Sequence, residues 1–136
     1  MKQVINLLLV VSTIFLFNNC YDRGIIDSKD FNHFLPKVND LDYTSQGKVI
    51  TLTWKKPGKI PSDFKKPLEI NIQKIEDNVY KDNITLTDDI TSYDISVDID
   101  KSCRFVVKLK GYLIDELVEQ GKPERVYSEG AIIEIR

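Results

Sequence analysis

The sequence predicts an all-β protein, an antiparallel β-sandwich, in the part of the chain that follows residue 34. Apolar and polar residues alternate with a period of two in five separate runs, which turns one side of each run inward. Turn-forming residues, such as Pro57-Gly58 and Asp77-Asn78, stand between the runs. Several short, half-buried strands separated by such turns are typical of two packed antiparallel sheets.

The five alternating runs lie between residue 49 and residue 136. Their inward residues, in chain order, are Ile50, Leu52 and Trp54; Leu68, Ile70 and Ile72; Tyr93, Ile95, Val97 and Ile99; Cys103, Phe105, Val107 and Leu109; and Ala131, Ile133 and Ile135. The alternation therefore places Cys103 and the single tryptophan, Trp54, in the core. The segment 113–120 fits a helical turn and the tip of a long hairpin equally well.

Composition excludes several classes of function. The chain of 136 residues carries 19 basic and 21 acidic residues, and its net charge of -2 argues against nucleic-acid binding. It has one histidine, His33, and two cysteines, Cys20 and Cys103, too few for a Cys/His metal site. We expect His33 to be a surface residue. With no histidine base in the folded part and no glycine-rich phosphate loop, we expect neither catalysis nor a cofactor.

Residues 1–20 resemble the signal of a bacterial lipoprotein. Lys2 precedes a segment, Val4–Phe17, in which 11 of 14 residues are apolar, and Cys20 follows after Asn18-Asn19. The resemblance implies cleavage before Cys20 and attachment of acyl chains such as palmitate, which would anchor the protein to a membrane. It implies a place in the bacterial cell envelope, and we expect the outer membrane. The alternative is a plain secretory signal that is cut elsewhere.

This interpretation divides the chain into three parts. Residues 1–19 are the signal peptide, residues 20–34 are a lipidated tether, and residues 35–136 form the sandwich. The tether shows no clean hydrophobic period, and a flexible segment of this length reaches on the order of 20 Å. The folded domain would therefore stay close to the membrane.

Five stretches of the chain resemble strands of fibronectin type III domains. They are residues 35–43 (LPKVNDLDY), 48–57 (KVITLTWKKP), 91–97 (TSYDISV), 103–112 (CRFVVKLKGY) and 126–135 (VYSEGAIIEI). The resemblance implies an immunoglobulin-like sandwich of seven strands over residues 35–136. The sequence departs from the family where Cys103 stands in place of the usual tyrosine of the sixth strand. Extracellular domains of this class mostly serve adhesion or spacing, which implies a binding or scaffolding module.

An apolar group on the predicted outward side is the first candidate binding site. Val106 and Ile132 take outward positions in their strands, and the loop between these strands adds Leu113, Ile114, Leu117 and Val118. Clustered apolar surface often binds a protein partner. In the alternative interpretation the loop folds over this face, or the register of the strand is shifted.

Aromatic residues provide a second candidate, from a different class of function. A carbohydrate-binding accessory lipoprotein of a glycan-uptake system needs a row of exposed rings, and the candidates are Phe64, Tyr80, Tyr112 and Tyr127. Under both hypotheses the partner is a component of the envelope, either a protein or a glycan.

Charge is unevenly distributed along the chain. Residues 48–66 carry six lysines and one acid, and residues 76–100 carry eight acids and one lysine. The acids could serve a cation site, but they lack the spacing of an EF-hand. We expect exposed cross-strand pairing instead, with Lys55 and Thr53 opposite Asp94 and Ser96.

Overall fold

A computed structural model describes residues 33–135, so the signal, Cys20 and the tether up to residue 32 lie outside the described residues. The described part is built almost entirely from β-strands, which confirms the predicted all-β class. The strands are β1 (Asn39–Gln46), β2 (Val49–Lys55), β3 (Glu69–Glu76), β4 (Val79–Thr87), β5 (Ser92–Ser96), β6 (Cys103–Tyr112), β7 (Arg125–Tyr127) and β8 (Ala131–Ile135). One short helix, α1 (Asp115–Glu119), follows β6.

The strands form two antiparallel sheets. One sheet has the order β1-β2-β5, and the other has the order β4-β3-β6, with β7 and β8 both paired to β6. Inward side chains of both sheets join one hydrophobic core, as a sandwich requires. Trp54 is 3% exposed and Cys103 is buried, so both lie in the core as predicted.

Three elements go beyond the prediction. The alternation did not reveal β4, where Ile84 and Leu86 turn inward but stay half-buried. Within the described residues, the stretch 126–135 that resembles the end of the closing hairpin contains two strands, β7 and β8. Of the two alternatives for 113–120, the helical turn is the one that forms, as α1.

The two ends of the domain are built differently. At one end, which we call the proximal end, the chain enters at His33, whose Nδ1 lies 2.7 Å from Asp63 Oδ2. The same end holds the β2–β3 loop and α1, joined where the Ile114 N–H donates to the Asp63 carbonyl at 3.0 Å. At the distal end, the β3–β4 turn contacts the β5–β6 loop through the Asp77 N–H and the Ser102 carbonyl, 3.0 Å apart. His33, expected to be a simple surface residue, is thus partly buried against an acid.

The register between β2 and β5 differs from the predicted pairing. Thr51 lies opposite Asp94, and its Oγ1 donates to Asp94 Oδ1 at 2.6 Å. Lys55 instead forms an ion pair with Asp40, in the bulge of β1, at 2.7 Å. The predicted pairs are therefore displaced by four residues, and this even-numbered shift leaves every side chain on its expected side of the sheet.

A buried ion pair lies within β3 near the distal end, and its lysine also contacts the other sheet. After Ile72 the inward positions of β3 are Lys74 and Glu76, both nearly buried, with Lys74 Nζ 2.7 Å from Glu76 Oε1. Lys74 Nζ also donates to the Ser96 carbonyl of β5 at 2.8 Å. Charges in such a position need partners because burial removes their hydration. Lys74 therefore joins β3 of one sheet to β5 of the other at this end.

Candidate binding surface

The outward side of the five-stranded sheet holds five of the ten candidate binding residues that the sequence analysis singled out. We call it the outer face of this sheet. Residues directly opposite each other in an antiparallel pair share a side, so the register defines the membership. The outer-face residues are Glu69, Asn71, Gln73 and Ile75 of β3; Tyr80, Asn83, Thr85 and Thr87 of β4; Arg104, Val106, Lys108, Lys110 and Tyr112 of β6; and Arg125, Tyr127, Ile132 and Glu134 of β7 and β8.

Two of the predicted aromatic residues lie beside each other toward the proximal end of this face. Lys110 stands opposite Tyr127 of β7 and opposite Glu69 of β3, and the next outward residue of β6 is Tyr112, opposite Arg125. Lys110 Nζ lies 2.5 Å from Glu69 Oε2 and 5.2 Å from the centre of the Tyr112 ring. Tyr127 is 45% exposed. These five residues form what we call the tyrosine cluster.

Electrostatics hold the two cations of the tyrosine cluster in their charged forms. The hydrogen bond to Glu69, and after it the one to Tyr112, raises the pKa of Lys110. The hydrogen bond to Tyr127 raises the pKa of Arg125. A cation over a ring, next to a second exposed ring, suits a ligand that offers both apolar surface and hydrogen-bonding groups. Glu69, Lys110 and Arg125 were not predicted as site residues, because their proximity depends on the register between strands.

The other two predicted aromatic residues lie elsewhere. Tyr80 is 52% exposed and stands on the outer face opposite Ile75, toward the distal end. The cross-strand row that contains Tyr80 lies six residues along β6 from the row that contains Lys110, a distance of roughly 20 Å. Phe64 is buried and bridges to Leu113, so its predicted exposure is wrong. The four aromatic rings therefore do not form a row: Tyr112 and Tyr127 lie together, Tyr80 lies apart from them, and Phe64 is buried.

The predicted apolar pair on this face is exposed only in part. Ile132 is 62% exposed, as expected. Val106 turns outward, as the alternation predicted, but it is only 8% exposed, so its predicted accessibility is wrong. The cause is Gly130, which lies against the Val106 side chain so closely that a Cβ on this glycine would clash with Val106 Cγ1.

The segment 128–130 explains why Gly130 can lie there. Ser128 exchanges backbone and side-chain hydrogen bonds with Leu109: its N–H donates to the Leu109 carbonyl at 2.8 Å, and its Oγ accepts from the Leu109 N–H at 2.9 Å. Ser128 Oγ also donates to the Glu129 carbonyl at 2.9 Å. The side chain therefore takes over part of the ladder while the backbone leaves the strand and crosses Val106.

The loop that was expected to extend the apolar face packs inward instead. Leu113 is fully buried, and Leu117 and Val118 pack against the core. Ile114 is half-buried at the start of α1. The prediction that these four residues contribute exposed surface is wrong for Leu113. The other three are partly buried, so each exposes only a part of its side chain. In the sequence, apolar residues directly after a strand do not indicate whether they will be exposed or will pack against the core.

An asparagine occupies the middle of the outer face without being accessible. Asn71 is buried, and its Nδ2 donates to Asn83 Oδ1 on β4. Its Oδ1 accepts no hydrogen bond from any described residue. Buried polar atoms are usually paired, and the sequence predicted Asn71 only as an outward residue of a half-buried strand.

Comparison with known proteins identifies a family. A family model described as a domain of unknown function, DUF4945, matches residues 20–135. The chain belongs to the DUF4945 family. The match includes every strand of the DUF4945 domain described above. No curated protein and no solved structure matches the chain.

Other features of the DUF4945 domain concern metals, membranes and thiols. Within residues 33–135, no group of three or more His, Cys, Asp or Glu side chains could hold a metal ion. In the same range, no helix has the length and apolar character to cross a bilayer. Burial raises the pKa of the Cys103 thiol, and the charge of Glu76 raises it further. Cys103 is therefore a protonated core residue at neutral pH.

Proposed function

We propose that this protein is a non-catalytic, lipid-anchored binding module of the bacterial cell envelope. In this proposal the domain has a fibronectin type III-like fold, and its partner is an envelope protein. The partner docks on the outer face of the five-stranded sheet, around Tyr127 and Ile132.

The strand order supports the fibronectin type III-like fold. Domains of that family place their first, second and fifth strands in one sheet and the remaining strands in the other. The DUF4945 domain has the order β1-β2-β5 in one sheet and β4-β3-β6 with β7 and β8 in the other. Fold alone does not specify a ligand, so the function rests on the surface.

The sequence of the first 20 residues supports the lipid anchor. Cys20 follows the apolar segment after Asn18-Asn19, and the family match also begins at residue 20, where the mature chain would start.

The observation that carries the proposal is the distribution of exposed apolar side chains. Of the seven large hydrophobic residues that are exposed within residues 33–135, three lie on the outer face of the five-stranded sheet: Tyr80, Tyr127 and Ile132. The outer face of the three-stranded sheet contributes only Val49. Aromatic and aliphatic residues beside arginine are typical of protein-binding surfaces.

The anchor is tested by palmitate labelling of cells that produce the full chain. Replacement of Cys20 by alanine should abolish labelling and leave the signal peptide uncut by the lipoprotein peptidase. A Cys103→Ala variant is the matched control and should be labelled like the natural chain. Labelling that persists without Cys20 would show that the lipoprotein interpretation is wrong.

The binding surface is tested by pull-down from solubilised envelopes. A chain with Tyr127→Lys and Ile132→Lys should lose the captured protein, since two charges would then stand where apolar contacts form. The matched control, Thr51→Lys with Thr53→Lys, places the same charges on the other sheet and should keep it. Equal capture by both variants would show that the partner does not bind to the outer face.

The tyrosine cluster supports a carbohydrate partner as the second candidate. Tyrosine rings stack on sugar rings, and Lys110, Glu69 and Arg125 offer hydrogen bonds around them. Binding to isolated envelope polysaccharides should then fall when Tyr127 and Tyr112 are replaced by alanine, but not when Tyr80 is replaced. Binding that is unchanged in the double variant would exclude this cluster as a glycan site.

A further inference from the structure

The sheet edges of the domain are not equally protected against pairing with another strand. Exposed edges invite such pairing, and proteins prevent it with bulges, short strands and interruptions. Among the described residues, β1 has a bulge between Asn39 and Asp42, and Asp40 within it has a φ of 49°. The edge strand β5 has only five residues, and the edge formed by β7 and β8 is broken by the segment 128–130.

The remaining edge, β4, lacks these protections over most of its length. It has nine residues and contains neither proline nor glycine. Its one irregularity lies beside the turn, where the register with β3 shifts between Lys74 and Ile75. From Asp82 to Thr87 the pairing with β3 is regular, and β4 is solvent-exposed along this stretch apart from two half-buried residues.

The backbone groups that β4 offers at its free edge follow from one hydrogen bond. The Asp88 N–H donates to the Leu68 carbonyl at 3.1 Å, so the even-numbered residues of this stretch direct their backbone groups toward β3. The N–H and C=O groups of Asn83, Thr85 and Thr87 therefore point away from β3. They form no ladder with any described residue.

The side chains along this edge are incompletely covered. Ile84 and Leu86 turn toward the core but stay half-buried, whereas Ile72 and Ile70, which lie opposite them on β3, are fully buried. On the other side of the sandwich β1 lies against β8, which closes the core there. Beside β4, the described residues supply no such cover. A further strand would cover Ile84 and Leu86 with every second side chain.

We propose that β4 binds an extended segment of a partner protein by strand addition. The N–H and C=O groups of Asn83 and Thr85, together with the Thr87 N–H, specify another extended backbone, because only a strand presents complementary groups at the same spacing. The Thr87 carbonyl accepts a hydrogen bond from the Ile90 N–H at 3.3 Å and ends this open stretch. Ile84 and Leu86 specify apolar residues at alternate positions of that segment. The site uses the backbone edge of β4 and neither Tyr127 nor Ile132, so it does not depend on the function proposed above.

The test uses the full chain in detergent and a phage-displayed library of random nine-residue peptides. The selected peptides should carry apolar residues at alternate positions and no proline between them. Thr85→Pro removes an N–H that points away from β3, so the fold should persist while binding falls at least about tenfold. Thr85→Val keeps the N–H and is the matched control; it should bind the peptides like the natural chain.

A second measurement avoids any dependence on the proline variant. Amide exchange of the unchanged chain, read residue by residue, should slow at Asn83, Thr85 and Thr87 when a selected peptide is added. Selected peptides without the alternating pattern, or with equal affinity for Thr85→Pro, would overturn the proposal, as would exchange that slows elsewhere only. Sedimentation that shows a dimer dissociated by Thr85→Pro would also overturn it, because the occupant would then be a second copy of the chain.

Discussion

The outward sides of the two sheets follow the same alternation but are built from different chemistry. On the three-stranded sheet most outward residues are short and polar, and Thr51 and Asp94 form a hydrogen bond across β2 and β5. On the five-stranded sheet long and aromatic side chains stand among smaller ones, and two of the smaller residues, Val106 and Asn71, are buried even though they point away from the core. The outward side of the three-stranded sheet is covered mainly by solvent, whereas some outward residues of the five-stranded sheet pack against other parts of the protein.

This difference teaches that the direction of a side chain and its exposure are separate properties. Strand geometry fixes the direction, because successive residues alternate. Exposure also depends on what crosses above the strand, and on the five-stranded sheet the backbone at Gly130 crosses Val106. A surface with internal packing holds its exposed residues, such as Ile132, in fixed positions, which favours binding because less ordering is needed.

The inner sides of the sheets should be equivalent even though the outer sides are not. Trp54→Ala and Phe105→Ala remove one large buried ring from each sheet. Each should lower the free energy of unfolding by about 3–5 kcal/mol, because a cavity replaces the ring. Urea denaturation measures both values. A loss below about 1 kcal/mol for either residue would mean that its ring is not in the core.

Packing on the outer face of the five-stranded sheet should be detectable at Gly130. A Cβ at this position would clash with Val106 and would lie 3.2 Å from Lys108 Cε, so Gly130→Ala should cost about 1–3 kcal/mol. Gly58→Ala is the control, since nothing lies within 4 Å of its added Cβ. Adding Val106→Ala should restore part of the loss in thermal unfolding. Equal, small effects at both glycines would show that Val106 is not covered.

The ion pair of the tyrosine cluster should contribute least, and only while Lys110 is charged. Glu69→Gln should cost at most about 1 kcal/mol near neutral pH, since the pair is partly exposed. Glu69 raises the folded pKa of Lys110 above 10.5, so the contribution is complete below the unfolded pKa and is lost as pH rises through the folded pKa. Unfolding curves of variant and natural chain should therefore converge in strong alkali.

The control for this prediction lies on the other sheet. Thr51→Ala removes the hydrogen bond to Asp94 and should change stability by less than about 0.5 kcal/mol. Its effect should not vary as pH rises through the pKa of Lys110. A Glu69→Gln effect that stays constant over the same range would mean that the ion pair is not its cause.

The sequence predicted most of the inner side of the fold, for a physical reason, although Ile99, which was placed inward, lies beyond the end of β5 and is 65% exposed. Burial of alternate apolar residues is a local pattern, so Ile50, Leu52 and Trp54 could be placed from β2 alone. The alternation did not identify β4. This strand lies at an open edge of the sheet, so its inward residues Ile84 and Leu86 are buried only in part. The alternation also did not identify Phe64 as a core residue, which comes from the irregular β2–β3 loop and packs where Gly111 leaves room.

Register was the main property that the sequence could not supply. A slip of one residue exchanges the two sides of a strand and would contradict the hydrophobic pattern, but a slip of two residues does not. A slip of four residues does not either, so the predicted pairing of Lys55 with Asp94 satisfied the alternation although Thr51 is the residue that lies opposite Asp94. The tyrosine cluster escaped prediction for the same reason, since the meeting of Glu69, Lys110 and Arg125 depends on the registers of three strands.

The central claim is that the outer face of the five-stranded sheet, and not that of the three-stranded sheet, contacts a partner. A photoreactive amino acid placed singly at Ile132, Tyr127, Thr51 or Thr53, in cells that produce the full chain, tests it directly. We predict a discrete cross-linked species after irradiation at Ile132 and Tyr127 and none at Thr51 and Thr53. Cross-links of equal yield from all four positions, or from Thr51 and Thr53 alone, would contradict the claim.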